Sequence, residues 1–424
     1  IGAAPAPQFD ENSTTRPAVN VDTVQNATIV AATGTITYAG LTGNGIIAGV
    51  DDSGVDGTHP DINEVAAISA SSAGTHGTHV AGILAGNGSQ SAANGGTAFQ
   101  WRGMAPNAGI VDSGDLINLG NLSTAINTNS MDLANHSHAV SPDGSYDAQN
   151  QTVDQAIQGD ATSGGDSVPR RPQVYSAGNN GVNALWINNQ VGFFSLTKQM
   201  KNAVVVGNWD VPQNDLAASS SMGPTHDGRI KPDVVAPGAW NIFSTGTAGD
   251  GVCYAANNTN GYGPCGGTSM ASPVVAGITA LMLEGWQTTY LDPSGTNIDQ
   301  AAPAPSTLRA LAIQSSTDIV NNNVRTGTLA DIDSDSNSTN NGGVADGAGS
   351  VAATAGPDYA TGWGLVDAGV AIDIVLDARD EHGVPVPNRI IQDNLQHLDV
   401  VEYEFAVDAD MITAGEDVRV TLAW

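Results

Sequence analysis

The sequence is poor in positive charge. Of its 424 residues, 13 are Lys or Arg and 43 are Asp or Glu, for a formal net charge of −30. A nucleic-acid binder needs a basic face to neutralise phosphate, and so few bases over this length do not supply one. Docking on an anionic membrane surface is disfavoured for the same reason. Cysteine is scarce as well. The two present exclude a miniprotein built on disulfides and a multi-cysteine zinc scaffold. Long hydrophobic runs are missing. Apolar stretches such as Ile278 to Leu283 fall well short of the about 18 residues that a membrane span requires. The chain begins at Ile1, with no charged segment followed by an apolar one. This predicts a processed or trimmed product whose targeting segment has been removed.

Glutamate and lysine are also rare. There are 7 Glu against 36 Asp, and the lysines are Lys198, Lys201 and Lys231. Asp prefers caps and turns to helix interiors, and 51 Gly point the same way, to a protein rich in loops. Such an acidic surface suits high salt, or hard cations such as calcium, or simply solubility. Aromatics make up 5%, yet hydrophobic residues make up 40%, so a core can still form. The length fits one large domain plus a smaller one, or two of similar size.

Along the chain, residues 1–40 are polar and rich in Pro, Ala and Thr, and read as an N-terminal arm. Ile46 to Val50 is a short apolar run ending in Asp51-Asp52-Ser53-Gly54, a buried strand entering a tight turn. Thr75 to Leu84 has apolar residues at helical spacing. Gly109–Val111, Val174–Gly178 and Ala203–Gly207 read as further strands. Pro273 to Leu283 reads as an apolar helix with proline in its first turn. Apolar strands alternating with helices predict an α/β protein with a parallel sheet covered on both faces. Residues 321–356 are rich in Asn, Asp, Gly and Ser and read as a long loop insertion. After about residue 381 the pattern changes to alternation, as in Val400–Val407 and Val418–Leu422. These are antiparallel strand signatures. Two or three such strands do not make a stable sandwich alone. The segment 381–424 is therefore expected to be an incomplete β module or an edge packed on the main domain.

Four segments carry chemistry: Asp52-Ser53-Gly54, His76-Gly77-Thr78-His79-Val80-Ala81-Gly82, Ser176-Ala177-Gly178-Asn179, and Gly267-Thr268-Ser269-Met270-Ala271-Ser272-Pro273. They fall at strand ends and helix starts, where α/β proteins build sites. Together they supply the parts of an acyl-transfer site. A serine hydroxyl such as that of Ser269 is a weak nucleophile and needs a neighbouring base. His76 fits the base, which then returns the proton to the leaving amine. A buried Asp52 would fix the imidazole tautomer and stabilise the imidazolium. Asn179 and the helix start offer N–H groups to a developing oxyanion.

These words and their order, Asp, His, Asn, Ser, resemble the subtilisin-like serine proteases, the subtilases. Further segments resemble the family: residues 59–61 (HPD), 103–108 (GMAPNA), 227–238 (DGRIKPDVVAPG), 305–318 (PSTLRALAIQSSTD) and 362–372 (GWGLVDAGVAI). The resemblance covers roughly residues 20–375. It implies a subtilisin-like catalytic domain over 1–380, with a parallel sheet flanked by helices. Residues 381–424 would then open a C-terminal β-sandwich, barrel or jelly-roll domain, as in some secreted members. It further implies a secreted, monomeric serine endopeptidase acting on protein or peptide substrates, its propeptide removed. No cofactor takes part in the chemistry, and calcium serves stability through ligands that are unknown. The alternative is a catalytically silent subtilase fold used as a binding scaffold.

Carried over by position, the resemblance implies Asp52, His76, Ser269 and Asn179 as catalytic residues, with His79 structural. Asp51 departs from the family's apolar residue. It either raises the pKa of His76 or points away. Ser137, His138 and Ala139 match one wall of the substrate cleft, with His138 in place of Leu and Ala139 in place of Gly. Ser176, Ala177 and Gly178 match the other wall. Cys253 and Cys265 are expected to pair, the alternative being two buried thiols. The run Asp331 to Asn337 has oxygen side chains at alternate positions, as in calcium loops. It lacks the Gly and Glu of an EF-hand and reads better as a solvated loop. Asp61 corresponds to a calcium ligand in some subtilases, although the loop from Gly86 to Trp101 that would complete that site looks different here.

Overall fold

The structure, a computed structural model, describes residues 12–68, 73–138, 145–180, 196–217, 219–239, 242–247, 261–290, 302–318, 357–377, 390–391 and 420–423. Ala139, Cys253, the 321–356 insertion and nearly all of 381–424 lie outside the described residues.

The expected N-terminal arm carries structure from Asn12 onward. Helices α1 (Asn12–Ala18) and α2 (Val21–Gln25) lead into a hairpin of β1 (Ala27–Val30) and β2 (Thr35–Tyr38). Val19 and Val21 are fully buried in the main core. Asp22 clamps Arg16 at 2.9 Å and Arg102 at 2.7 Å, which ties this segment to the body of the protein.

The eight-stranded central sheet contains β3 (Ile47–Asp51), β4 (Glu64–Ala67), β5 (Gly109–Asp112), β6 (Leu133–His136), β9 (Gln173–Ser176), β10 (Val204–Asp210), β11 (Asp215–Leu216) and β12 (Val234–Pro237). Its order is β11-β10-β9-β6-β3-β5-β4, and β12 also pairs with β10. Every pairing is parallel except β10 with β11. Small hairpins of β7 (Thr162–Ser163) with β8 (Asp166–Ser167), and of β13 (Ile242–Thr245) with β14 (Tyr262–Cys265), lie outside this sheet.

Helices cover both faces, as the alternation predicted. On one face α3 (Thr75–Ala85), α6 (Thr268–Tyr290), α7 (Pro305–Ser315) and α8 (Ala368–Leu376) bury Ala48, Val50, Ile110, Leu133, Val174, Val204 and Val206 of the strands. On the other face α4 (Leu119–Asn127) and α5 (Ala148–Gln158) cover Val111, Ala134, Tyr175 and Val205. Strand residues alternate between faces, so burial on both sides explains the continuous apolar runs. From β3 the chain places β5 on one side and β6 on the other. That reversal makes the carboxyl end of β3 a switch point, where open α/β sheets hold ligands.

Candidate active site

Asp51 and Asp52 close β3, and alternation turns them to opposite faces. Asp52 follows Ala48 and Val50 toward α3, and Asp51 turns toward Leu116, in the loop that leads into α4. His76 sits in the first turn of α3. Its Nδ1 meets the Asp52 carboxylate at 2.8 Å and 2.9 Å, one contact to each oxygen. Asp52 Oδ1 also accepts the Ser53 N–H at 2.7 Å. The Asp52 side chain is 4% exposed and that of His76 36%. The carboxylate is thus shielded while the imidazole edge remains reachable. Gly77 permits this approach. A Cβ there would stand 2.3 Å from the Gly54 carbonyl oxygen and 3.2 Å from Asp52 Cβ.

Ser269 lies at the start of α6, which begins at Thr268, five residues before the expected start at Pro273. The proline is accommodated because its lost N–H has a substitute. Proline cannot donate to the carbonyl four residues back, which is that of Ser269. Ser137 Oγ donates to that carbonyl instead, at 2.9 Å. The Ser269 hydroxyl in turn donates to the Ser137 carbonyl at 3.1 Å. Ser137 Oγ also contacts Asn135 Nδ2 at 3.0 Å and Ser272 Oγ at 2.8 Å.

Asn179 follows β9. Its Oδ1 accepts from the Thr268 N–H at 2.9 Å and from the Thr268 hydroxyl at 3.0 Å. The amide oxygen is held, so the Nδ2 donor faces away from Thr268. Gly267 has φ of 137°, and a Cβ there would come 3.0 Å from Asn179 Nδ2. Only glycine adopts that backbone freely, and only glycine leaves the amide room.

With Asp52, His76, Asn179 and Ser269 on adjoining strand ends and helix starts, the arrangement matches a known pattern. The model of the subtilase family matches residues 43–364. The chain belongs to the subtilase family. An alkaline protease of Alkalihalobacillus alcalophilus is 32% identical over 274 residues, which is 61% of this chain and 58% of that protein. The serine protease/ABC transporter B family protein tagB of Dictyostelium discoideum is 37% identical over 110 residues, 24% of this chain and 6% of that protein. The solved structure of fervidolysin from Fervidobacterium pennivorans, a keratinolytic enzyme related to subtilisin, aligns with 78% of this chain and 43% of that one. Its identity is 23% and the TM-score 0.46. The chain spans less than two thirds of each of these relatives.

The other positions carried over from the subtilases fall as follows. Ser137 is buried at the end of β6, and His138 follows it, 31% exposed. Ser176 and Ala177 are buried, Ala177 within the apolar cluster on the α5 face, and Gly178 is partly exposed at φ of 115°. His79 is fully buried. Its Nε2 bridges the carbonyls of Ile242 and Gly263 at 3.0 and 3.1 Å, and burial pushes its pKa down to about 3. It is a neutral strut between α3 and the β13–β14 hairpin. Cys265 is buried and disulfide-bonded.

Asp61 Oδ1 accepts the Ser89 hydroxyl at 2.6 Å and the Gln90 N–H at 3.1 Å, and so braces the turn after α3. Among the described residues no cluster of three carboxylates gathers to hold calcium.

Asp51 points away from His76. Its Oδ2 meets His136 Nδ1 at 2.8 Å and His138 Nε2 at 3.0 Å. Burial opposes its ionisation, but hydrogen bonds from the two histidines prevail and hold its pKa well below the usual carboxylate range. Burial pushes the pKa of His136 down, against the opposing pull of the Asp51 carboxylate. His136 was not singled out in the sequence. The signal was available: the pattern His-x-His at a strand end puts both rings on one face, and β6 pairs His136 opposite Asp51.

Proposed function

We propose that this chain is a secreted serine endopeptidase that cleaves peptide bonds through an acyl-enzyme. The observation that carries the reading is the two-oxygen grip of buried Asp52 on His76 Nδ1. That grip places the proton on Nδ1 and leaves Nε2 as a base. In the proposed mechanism the Ser269 hydroxyl leaves the Ser137 carbonyl and rotates to His76 Nε2, which takes its proton as the oxygen attacks the scissile carbonyl. Such contacts commonly tighten only when substrate is bound. Asn179 Nδ2 and the N–H groups opening α6 stabilise the oxyanion. His76 then protonates the leaving amine, and water repeats the sequence to release the acyl group.

Ser137, His138 and Ala139 on one side, and Ser176, Ala177 and Gly178 on the other, are proposed to hold an extended substrate as an added strand. The disulfide at Cys265 supports an oxidising, extracellular location. No helix among the described residues is long and apolar enough to cross a membrane. We assign residues 1–380 to the catalytic domain and 381–424 to a β module. A monomer stabilised by calcium completes the reading.

Labelling with a fluorophosphonate probe followed by peptide mapping tests the assignment. Modification at Ser269, lost in Ser269→Ala together with casein hydrolysis, is the expected result. A folded protein that resists the probe would instead be a silent scaffold of the same fold.

A further inference from the structure

We propose that Asp51, His136 and His138 form a binding site for a divalent transition-metal ion of the zinc class, beside the catalytic cleft. Their ligand atoms, one carboxylate oxygen and two imidazole nitrogens, all lie within 4.8 Å of one another. A tetrahedral ion with ligands at 2.0–2.1 Å sets them about 3.3 Å apart, which small side-chain rotations reach. The donor set selects the ion. Imidazole suits zinc and its neighbours in the first transition row, whereas calcium requires oxygen ligands throughout.

The site is built by the fold. Asp51 and His136 are opposite partners on β3 and β6, and His138 follows two residues later on the same face. The His136 ring stacks on Tyr175 with centroids 4.0 Å apart and planes 2° from parallel, which fixes its orientation. Gln173 of β9 lies against the same ring, and its amide oxygen accepts the Tyr175 hydroxyl at 3.2 Å. One oxygen, Asp51 Oδ2, faces three nitrogens: His136 Nδ1, His138 Nε2 and, at 3.1 Å, the Leu116 N–H. A carboxylate oxygen has two lone pairs, so it is crowded with donors. An ion there would take the lone pairs of both imidazoles, whose protons move to their other nitrogens, and would remove that crowding.

The site also has an entrance. A cleft of about 330 Å³ is lined by Asp51 and His138, and by Asp52, Asp115 and Gln149. Asp51 and His136 are buried, and the partly exposed His138 stands at the mouth. A fourth position open to the cleft suits water or a substrate group. Ser137, between the two histidines, holds the Ser269 carbonyl. An ion bound here would therefore pin the segment that supports Ser269.

Metal binding is read directly, so it stands or falls apart from the peptidase reading. The full chain is titrated with zinc in excess calcium, which saturates oxygen-only sites on so acidic a surface. One zinc per chain is expected, with affinity at least about tenfold lower in His138→Leu. Cobalt in place of zinc should give the intense visible bands of a low-coordinate, nitrogen-ligated site. Equal zinc affinity in a folded His138→Leu protein would overturn the proposal. So would a weak six-oxygen cobalt spectrum in the unaltered chain, a result that does not depend on the variant folding.

Discussion

Ser137 and Ser269 hold each other through two hydrogen bonds, hydroxyl to carbonyl in both directions, at 2.9 and 3.1 Å. The pair exists because Pro273 withholds the N–H that would otherwise take the Ser269 carbonyl. A proline in the second turn of α6 thus creates an orphan acceptor, and the end of β6 supplies the donor. The proposed substrate wall and the proposed nucleophile are in this way one hydrogen-bonded unit.

Replacing Ser137 by Ala is therefore expected to cost more than one contact. It strands the buried Ser269 carbonyl and removes the acceptor facing Asn135 Nδ2 and Ser272 Oγ. An unsatisfied buried polar group costs about 1–3 kcal/mol. Denaturant unfolding should show a loss of that size, with a fall in kcat greater than any rise in KM. A variant as stable as the parent would mean that water or a shifted backbone replaces the hydroxyl.

Asn179→Ala should lower kcat by about 10²–10³-fold, the magnitude measured for such a donor in subtilisin, with KM little changed. Thr268 holds the amide oxygen in the folded protein, so the donor is already aimed before substrate arrives. A loss expressed mainly in KM would instead assign Asn179 to ground-state binding.

Gly267→Ala tests the same donor from behind. The new methyl meets Asn179 Nδ2 at 3.0 Å, on a backbone with φ of 137° that alanine adopts only under strain. The expected outcome is a kcat defect approaching that of Asn179→Ala. In the double variant the two losses should not add, because both remove one interaction. Additive losses in steady-state assays would show that Gly267 acts elsewhere.

Much of this was legible in the sequence because it rests on local pattern. Ala203–Gly207 reads as a buried strand from its run of valines, and the structure has a strand over Val204–Asp210; the segments around Asp52, His76, Asn179 and Ser269 carry the family resemblance in adjacent residues. What was not legible depends on partners far along the chain. The start of α6 at Thr268 was hidden by Pro273, since its first turn is completed by Ser137, 132 residues away. Asp51 could be seen as a departure. Its direction followed only from the pairing of β3 with β6, which sets His136 opposite it. Alternation within the strand was readable, and the choice of neighbouring strand was not.

Lys198 offers a test through pH. It is fully buried, its ammonium donates to the Thr197 hydroxyl at 3.0 Å, and among the described residues no ion pair reaches it. Burial pushes its pKa from 10.5 down to about 7. Between those values the unfolded chain binds the proton and the folded chain does not, so stability rises with pH across that window. Below pH 7 the folded protein carries a buried charge and gains nothing from this group. Lys231 is shifted alike by burial, with Arg309 adding to the shift and Asp233 opposing it, so two lysines contribute to the slope. Lys198→Met keeps the side-chain volume and removes one of them. Thermal midpoints measured from pH 6 to 10.5 should start higher than the parent's near neutrality and converge toward it at the alkaline end. Parallel curves with no convergence would place the Lys198 ammonium in contact with solvent or with an acid.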